Sequence, residues 1–280
     1  MRCAVLVLLL AAVPAAAQES KTKPDRVVLF KTTEQGPLKL HIFEPEGHKA
    51  TDQRPAIVFF FGGGWVGGSA SHFYPQSQYL ADRGMVAICA EYRIRSKHKT
   101  TPFECVADGK SAMRWVRSHA DELGIDPDRL AAGGGSAGGH VAAATATLPG
   151  LDDPADDLSV SCVPNALVLF NPVYDNGPDG YGYDRVKERW QEISPLHNIR
   201  EGIPPAIVFL GTKDRLIPVA TGKAFQKKME DVGSRSELML WEGAEHGFFN
   251  PGKGDGTAYH ETVAAMDRFL TELGYLKPAE

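Results

Sequence analysis

Five short strand-like runs with apolar centres constrain this chain more than any other feature. They are "PAIVFFF" (Pro55–Phe61), "MVAICAEY" (Met85–Tyr92), "DRLAAGGG" (Asp128–Gly135), "NALVLFNPV" (Asn165–Val173) and "PAIVFLGT" (Pro205–Thr212). A short strand that is apolar on every residue must be covered on both faces, as in a parallel sheet between two layers of helices. Helical stretches separate the runs: "FYPQSQYLADRG", "ECVADGKSAMRWVRSHADELG" with Val106, Met113, Trp115 and Val116 among its apolar positions, "SAGGHVAAATATL" and "VATGKAFQKKMEDVG". A last strand, "SELMLWEG", precedes "YHETVAAMDRFLTELG". Upstream, "RVVLF" and "LKLHIF" flank "EQGP" and predict a hairpin. The order predicts one α/β domain over residues 24–280, with a mainly parallel sheet and right-handed crossovers. Residues 174–203 carry Tyr174, Tyr181, Tyr183 and Trp190 but no strand-like run. A connection that long inside a compact domain is expected to serve as a small cap or a substrate-binding wall.

The apolar fraction of 43% beside 23% charged residues is enough for one substantial core. A net charge of −5 argues against nucleic acid as a partner. The stretch "EYRIRSKHK" (Glu91–Lys99) reads as a solvated loop of mixed charge, and "DDPADD" (Asp152–Asp157) as a solvated acidic loop. At the start, Arg2, the apolar run Ala4–Val13 and the small residues Ala15 and Ala17 predict an export signal over residues 1–17. That implies a secreted or periplasmic protein with no stable membrane anchor. Cleavage there would leave Cys89, Cys105 and Cys162, so at most one bridge could form. Cys89 reads as a buried free thiol, and a Cys105–Cys162 bridge stays open. None has the spacing of a zinc site.

The third apolar run ends in "GGGSAGGH". Ser136 there lies between a strand and a helix, within the G-x-S-x-G of Gly134–Gly138, the context of a nucleophile elbow. Among 29 glycines such a match arises easily by chance, so the pattern needs partners. A phosphate-binding loop is excluded: no G-K-[ST] follows, and no G-x-G-x-x-G opens a first strand–helix turn. A nucleophilic serine needs a base, and the base an orienting acid. His246, in "EGAEHGFFN" after the last strand, is the candidate base, whereas His140 on the helix after Ser136 is a packing residue. Asp214, in "GTKDRLIP" after the preceding strand, is the candidate acid, with Asp175 in reserve. The oxyanion hole needs backbone N–H donors. Ala137 supplies one, and Gly63 and Gly64 in "FGGGWVGGS" the others. Trp65 is expected to wall the acyl side and Tyr174 to contact substrate.

With the order Ser…Asp…His and an upstream glycine loop, the chain resembles the α/β-hydrolase superfamily. It is most similar to secreted esterases with an H-G-G-G-W oxyanion motif, a branch that includes acetyl-xylan and feruloyl esterases. "GGGW", "DGKSAMRWVR", "GGSAGGH", "GTKDRLIP" and "GAEHGF" carry the resemblance. One position departs: Phe61 stands where that branch has a loop-bracing histidine. The resemblance implies a Ser–His–Asp esterase working through an acyl-enzyme, without metal or organic cofactor. Its expected substrate is a small-molecule or glycan ester with a short acyl group, acetyl or feruloyl among them. The alternatives are a peptidase of the prolyl type, which usually needs a large extra domain, and a silent binding protein on the same scaffold.

Overall fold

A computed structural model describes residues 23–278. The export signal expected over residues 1–17 lies outside the described residues. Strands β1 (Arg26–Thr33) and β2 (Gly36–Phe43) form the expected hairpin. β3 (Arg54–Phe60), helix α1 (Tyr74–Asp82), β4 (Val86–Ala90), α2 (Arg95–His98), α3 (Pro102–Ser118), α4 (Ala120–Leu123), β5 (Ile125–Gly135), α5 (Ala137–Thr147) and β6 (Ala166–Phe170) follow. Then come α6 (Tyr183–Val186), α7 (Trp190–Ile193), β7 (Ala206–Gly211), α8 (Val219–Asp231), β8 (Ser236–Trp241) and α9 (Thr257–Glu272). The eight strands form one sheet in the order β1-β2-β4-β3-β5-β6-β7-β8, parallel from β4 to β8. β2 runs antiparallel to both its neighbours.

The alternation along β3 shows how the layers close. Ala56, Val58 and Phe60 pack into one core with Met113 of α3, Val141 of α5 and Phe225 of α8. Ile57 and Phe59 pack into the other with Leu80 of α1 and Met266 and Phe269 of α9. Such two-sided burial is the main favourable term holding the domain together. α3 starts where its sequence says it should: Pro102 occupies the first turn, and Thr101 and Glu104 form a reciprocal capping box. The single long helix expected to reach Gly124 is interrupted at His119, which leaves helical geometry while its ring stacks on Trp115 at 4.0 Å.

Two loops differ from expectation. Glu91–Lys99 is largely anchored: Tyr92 and His98 are buried, and Arg93 forks onto the Asp108 carboxylate of α3. The acidic loop is clamped rather than solvated, because Asp152 and Asp156 pair with Arg114 and Asp153 with Lys31 at 2.7 Å. Cys89, Cys105 and Cys162 are all free, buried thiols, so the Cys105–Cys162 bridge is not formed. The Cys105 thiol instead donates to the Arg93 carbonyl, 3.0 Å away, and burial pushes the Cys89 thiol up to about 12. Among the described residues no helix is long and apolar enough to cross a membrane.

Candidate active site

The turn from β5 into α5 puts Ser136 at φ 55°, ψ −119°, a conformation that disfavours any side chain. Such strain costs about 1–3 kcal/mol and persists only where the surroundings enforce it. Here the enforcement is steric. A Cβ on Gly134 would lie 2.5 Å from the Gly138 backbone, and one on Gly138 would lie 2.0 Å from the Phe60 carbonyl. The helix can therefore pass close to β3 only with glycine at both places. The Ser136 N–H donates to the Phe170 carbonyl at 2.9 Å, tying the strained residue to β6.

Two further strand ends bring the partners. Asp214 follows β7, and its Oδ1 accepts the Leu216 and Ile217 N–H groups at 2.8 and 2.9 Å. His246 follows β8, with Nδ1 at 2.7 Å from Asp214 Oδ2 and Nε2 at 2.9 Å from Ser136 Oγ. An ionised carboxylate only accepts, so Nδ1 carries the hydrogen and donates it to Asp214. Nε2 is then the acceptor for the serine hydroxyl, the tautomer a general base needs. The Gly247 N–H donates to Asn171 Oδ1 at 2.8 Å, which fixes the loop next to His246.

Gly63 and Gly64 curl over the same cavity as Ser136 with φ of 125° and 61°. Among the described residues neither N–H meets an acceptor, and Ala137 opens α5, where its N–H has no partner within the helix. The N–H of Gly62, by contrast, is taken by His72. The cavity holds about 350 Å³. Val66 and Leu216, 37% and 44% exposed, give it an apolar rim, while Tyr181 and Arg185 come from the 174–203 segment. Arg185 is seated by its hydrogen bond to the Gly64 carbonyl and by the faces of Trp65 and Tyr181. This arrangement can take a proton from a serine hydroxyl and offer N–H donors to an oxyanion.

The sequence matches two family models, one described as BD-FAE over residues 40–165 and one as the dienelactone hydrolase family over residues 180–277. It is 30% identical to esterase LipC of Mycobacterium tuberculosis over 80% of this chain and 59% of that protein. It is 27% identical to an acetylxylan esterase of Xylanibacter ruminicola over 86% of this chain and 48% of that protein. The chain thus spans about half the length of these curated relatives. Thermogutta terrifontis esterase 2, phosphoramylated by tabun, superposes with a TM-score of 0.88 at 48% identity, covering 91% of this chain and 96% of that one. The chain belongs to the α/β-hydrolase esterases.

Two expected substrate contacts of this esterase are corrected. Trp65 does not line the cavity of Ser136. It is 1% exposed and turns under the loop, where its Nε1–H donates to His140 Nδ1 at 3.3 Å. Val66 lines that cavity instead. Tyr174 is fully buried, stacked on Phe225 of α8 at 3.8 Å, with its carbonyl holding Leu196 and Ser194. It anchors the insertion from below, and Tyr181 is the tyrosine that faces the cavity. Asp175 caps the Gly177 N–H at 2.7 Å and lies 3.9 Å from His197, with no bond to His246. His140 is enclosed: Nε2–H donates to the Ile193 carbonyl at 2.8 Å, and burial lowers its pKa to about 4. Composition gave no warning of His72, Asn171, Leu216 or Asn250. Each lies far along the chain from the serine and joins the site only through the fold.

Proposed function

We propose that this chain is a serine esterase for short-acyl carboxylic esters, secreted or periplasmic, with Ser136, His246 and Asp214 as its catalytic triad. The observation that carries the reading is the unbroken relay from Ser136 Oγ to His246 Nε2 and from His246 Nδ1 to Asp214 Oδ2. Ser136 attacks the ester carbonyl while His246 takes its proton. Asp214 keeps the imidazole in place and favours its charged form. The tetrahedral oxyanion accepts from the N–H groups of Gly63, Gly64 and Ala137. His246 then protonates the departing alcohol, and water, activated by the same imidazole, frees the acid.

The acyl preference rests on the size of the cavity and on likeness. Structures of the Thermogutta terrifontis esterase hold propionate in one case and butyrate in another. Acetyl or feruloyl groups on plant polysaccharide remain the favoured natural esters, with Tyr181 as an aromatic neighbour at the cavity wall. A panel of p-nitrophenyl esters, acetylated xylan, feruloyl esters and dipeptide amides tests the reading. Turnover of p-nitrophenyl acetate or propionate at least about tenfold above octanoate is expected, since each methylene is worth only about 1–3 kcal/mol. A preference for octanoate, or for the amides, would overturn it.

A further inference from the structure

Phe61 raises a problem that the rest of the fold solves. Phe61 stands where the resemblance predicts a loop-bracing histidine, and its ring is committed elsewhere. It stacks on Tyr92 at 4.1 Å, while the Tyr92 hydroxyl donates to the Phe61 carbonyl at 2.6 Å. A run of three glycines after it has no stiffness of its own. The structure supplies a different imidazole. His72, in the short 3₁₀ turn Ala70–Phe73 just before α1, accepts the Gly62 N–H at Nδ1, 2.9 Å away. Its Nε2 lies 2.6 Å from Asn250 Oδ1.

The proton positions follow from donor and acceptor counts. A backbone N–H can only donate, so His72 Nδ1 is unprotonated and the hydrogen sits on Nε2. Nε2–H donates to Asn250 Oδ1, and Asn250 Nδ2 donates in turn to the Gly247 carbonyl at 2.8 Å. Gly247 is the neighbour of His246. One chain of hydrogen bonds therefore runs from the oxyanion loop, through His72 and Asn250, to the loop of the candidate base.

We propose that His72 is a positioning residue of this esterase, the neutral strut that sets the oxyanion donors in register with His246. The proposal rests on the assignment of Gly63 and Gly64 as those donors. Holding the Gly62 N–H holds the Phe61–Gly62 peptide, which immediately precedes the two peptides that carry the Gly63 and Gly64 N–H groups. A misplacement of about 1 Å in such a constellation costs about a hundredfold in rate. The strut is also bound to one protonation state. A proton on Nδ1 would turn its lone pair into a second donor facing the Gly62 N–H, and the link would open. The groups around the ring favour the neutral form. Phe73 comes from its own turn, and Phe249 and Asn250 from the histidine loop. Arg185, Tyr181 and His246 are the titratable groups of the shared cavity, and among the described residues no carboxylate lines it. Burial accordingly lowers the His72 pKa from its usual value.

His72→Asn and His72→Phe separate the roles. Asparagine places an amide oxygen near the position of Nδ1 and does not titrate, whereas phenylalanine keeps the ring and loses both bonds. Steady-state rates on p-nitrophenyl acetate are measured from pH 5 to 8 beside thermal melts. His72→Phe is expected to lower kcat about 10- to 100-fold with KM within about threefold, because the loss falls on the transition state. His72→Asn, which keeps an acceptor for the Gly62 N–H and gives up the bond to Asn250, is expected to recover part of that loss. Its acid limb of kcat/KM should be shallower than that of the wild type, having one essential deprotonation fewer. Three results would each overturn the proposal: a kcat for His72→Phe within about threefold of wild type; equal losses in two folded variants; or superimposable acid limbs for wild type and His72→Asn. If His72→Phe fails to fold, the His72→Asn pH profile decides alone. A wild type inactive on every ester would instead remove the functional reading beneath the proposal.

Discussion

Asp214 Oδ2 and His246 Nδ1 meet at 2.7 Å, with the carboxylate wholly withdrawn from solvent and the imidazole 23% exposed. A buried acceptor already committed to two backbone N–H groups through its other oxygen cannot rotate away. The imidazole is thus held in one orientation and one tautomer.

Asp214→Asn should therefore lower kcat by about 10³–10⁴, since the amide stabilises the wrong tautomer and cannot offset imidazolium charge. Asp175→Asn should stay within about threefold of wild type, because Asp175 caps its own turn and faces His197, with no bond to His246. Steady-state kinetics on both purified variants check the pair. A larger loss for Asp175→Asn would reassign the acid.

Trp65→Ala should act on stability rather than on acyl choice. The indole is buried against His140 and Arg185, so its removal should cost about 3–5 kcal/mol in urea unfolding. The ratio of kcat/KM for acetyl over octanoyl esters should remain within about threefold of wild type. Leu216→Ala, at the rim of the cavity, should move that ratio further than Trp65→Ala does.

The protein should lose stability as pH falls through the range set by His140. The imidazole titrates near 6.5 when unfolded and near 4 in the folded protein, where burial disfavours its charged form. Between those values the unfolded chain binds the extra proton, so stability is fully present above pH 6.5 and falls toward pH 4. The span is on the order of 3 kcal/mol. Urea midpoints at a series of pH values should show a shallower dependence in His140→Asn, even where that variant is less stable throughout.

The parts legible in the sequence share one property: each is a local pattern with a local cause. Burial on both faces makes the centres of β3 to β7 apolar, and close passage of helix and strand demands Gly134 and Gly138 around Ser136. Asp214 and His246 sit in loops punctuated by glycine and proline after strands, which is enough to single them out. What was not legible depends on distant partners. His72 and Asn250 are 178 residues apart, and nothing in either segment announces the other. Tyr174 and Tyr181 have the same side chain on the same insertion, and only the path of the chain puts one beneath α8 and the other at the cavity. The charges of Glu91–Lys99 read as solvated because Asp108, which neutralises Arg93, lies on the next helix with its other face in the core.

The most direct measurement is the site of covalent labelling. Purified protein is reacted with paraoxon, digested and mapped by mass spectrometry, with Ser136→Ala as the control. The Thermogutta terrifontis esterase is known in a form phosphorylated by paraoxon. Here a single diethylphosphoryl group should appear on the peptide that carries Ser136, in step with complete loss of esterase activity, and the folded Ser136→Ala variant should take up none. A label on any other serine, or inhibition with Ser136 unmodified, would contradict the account.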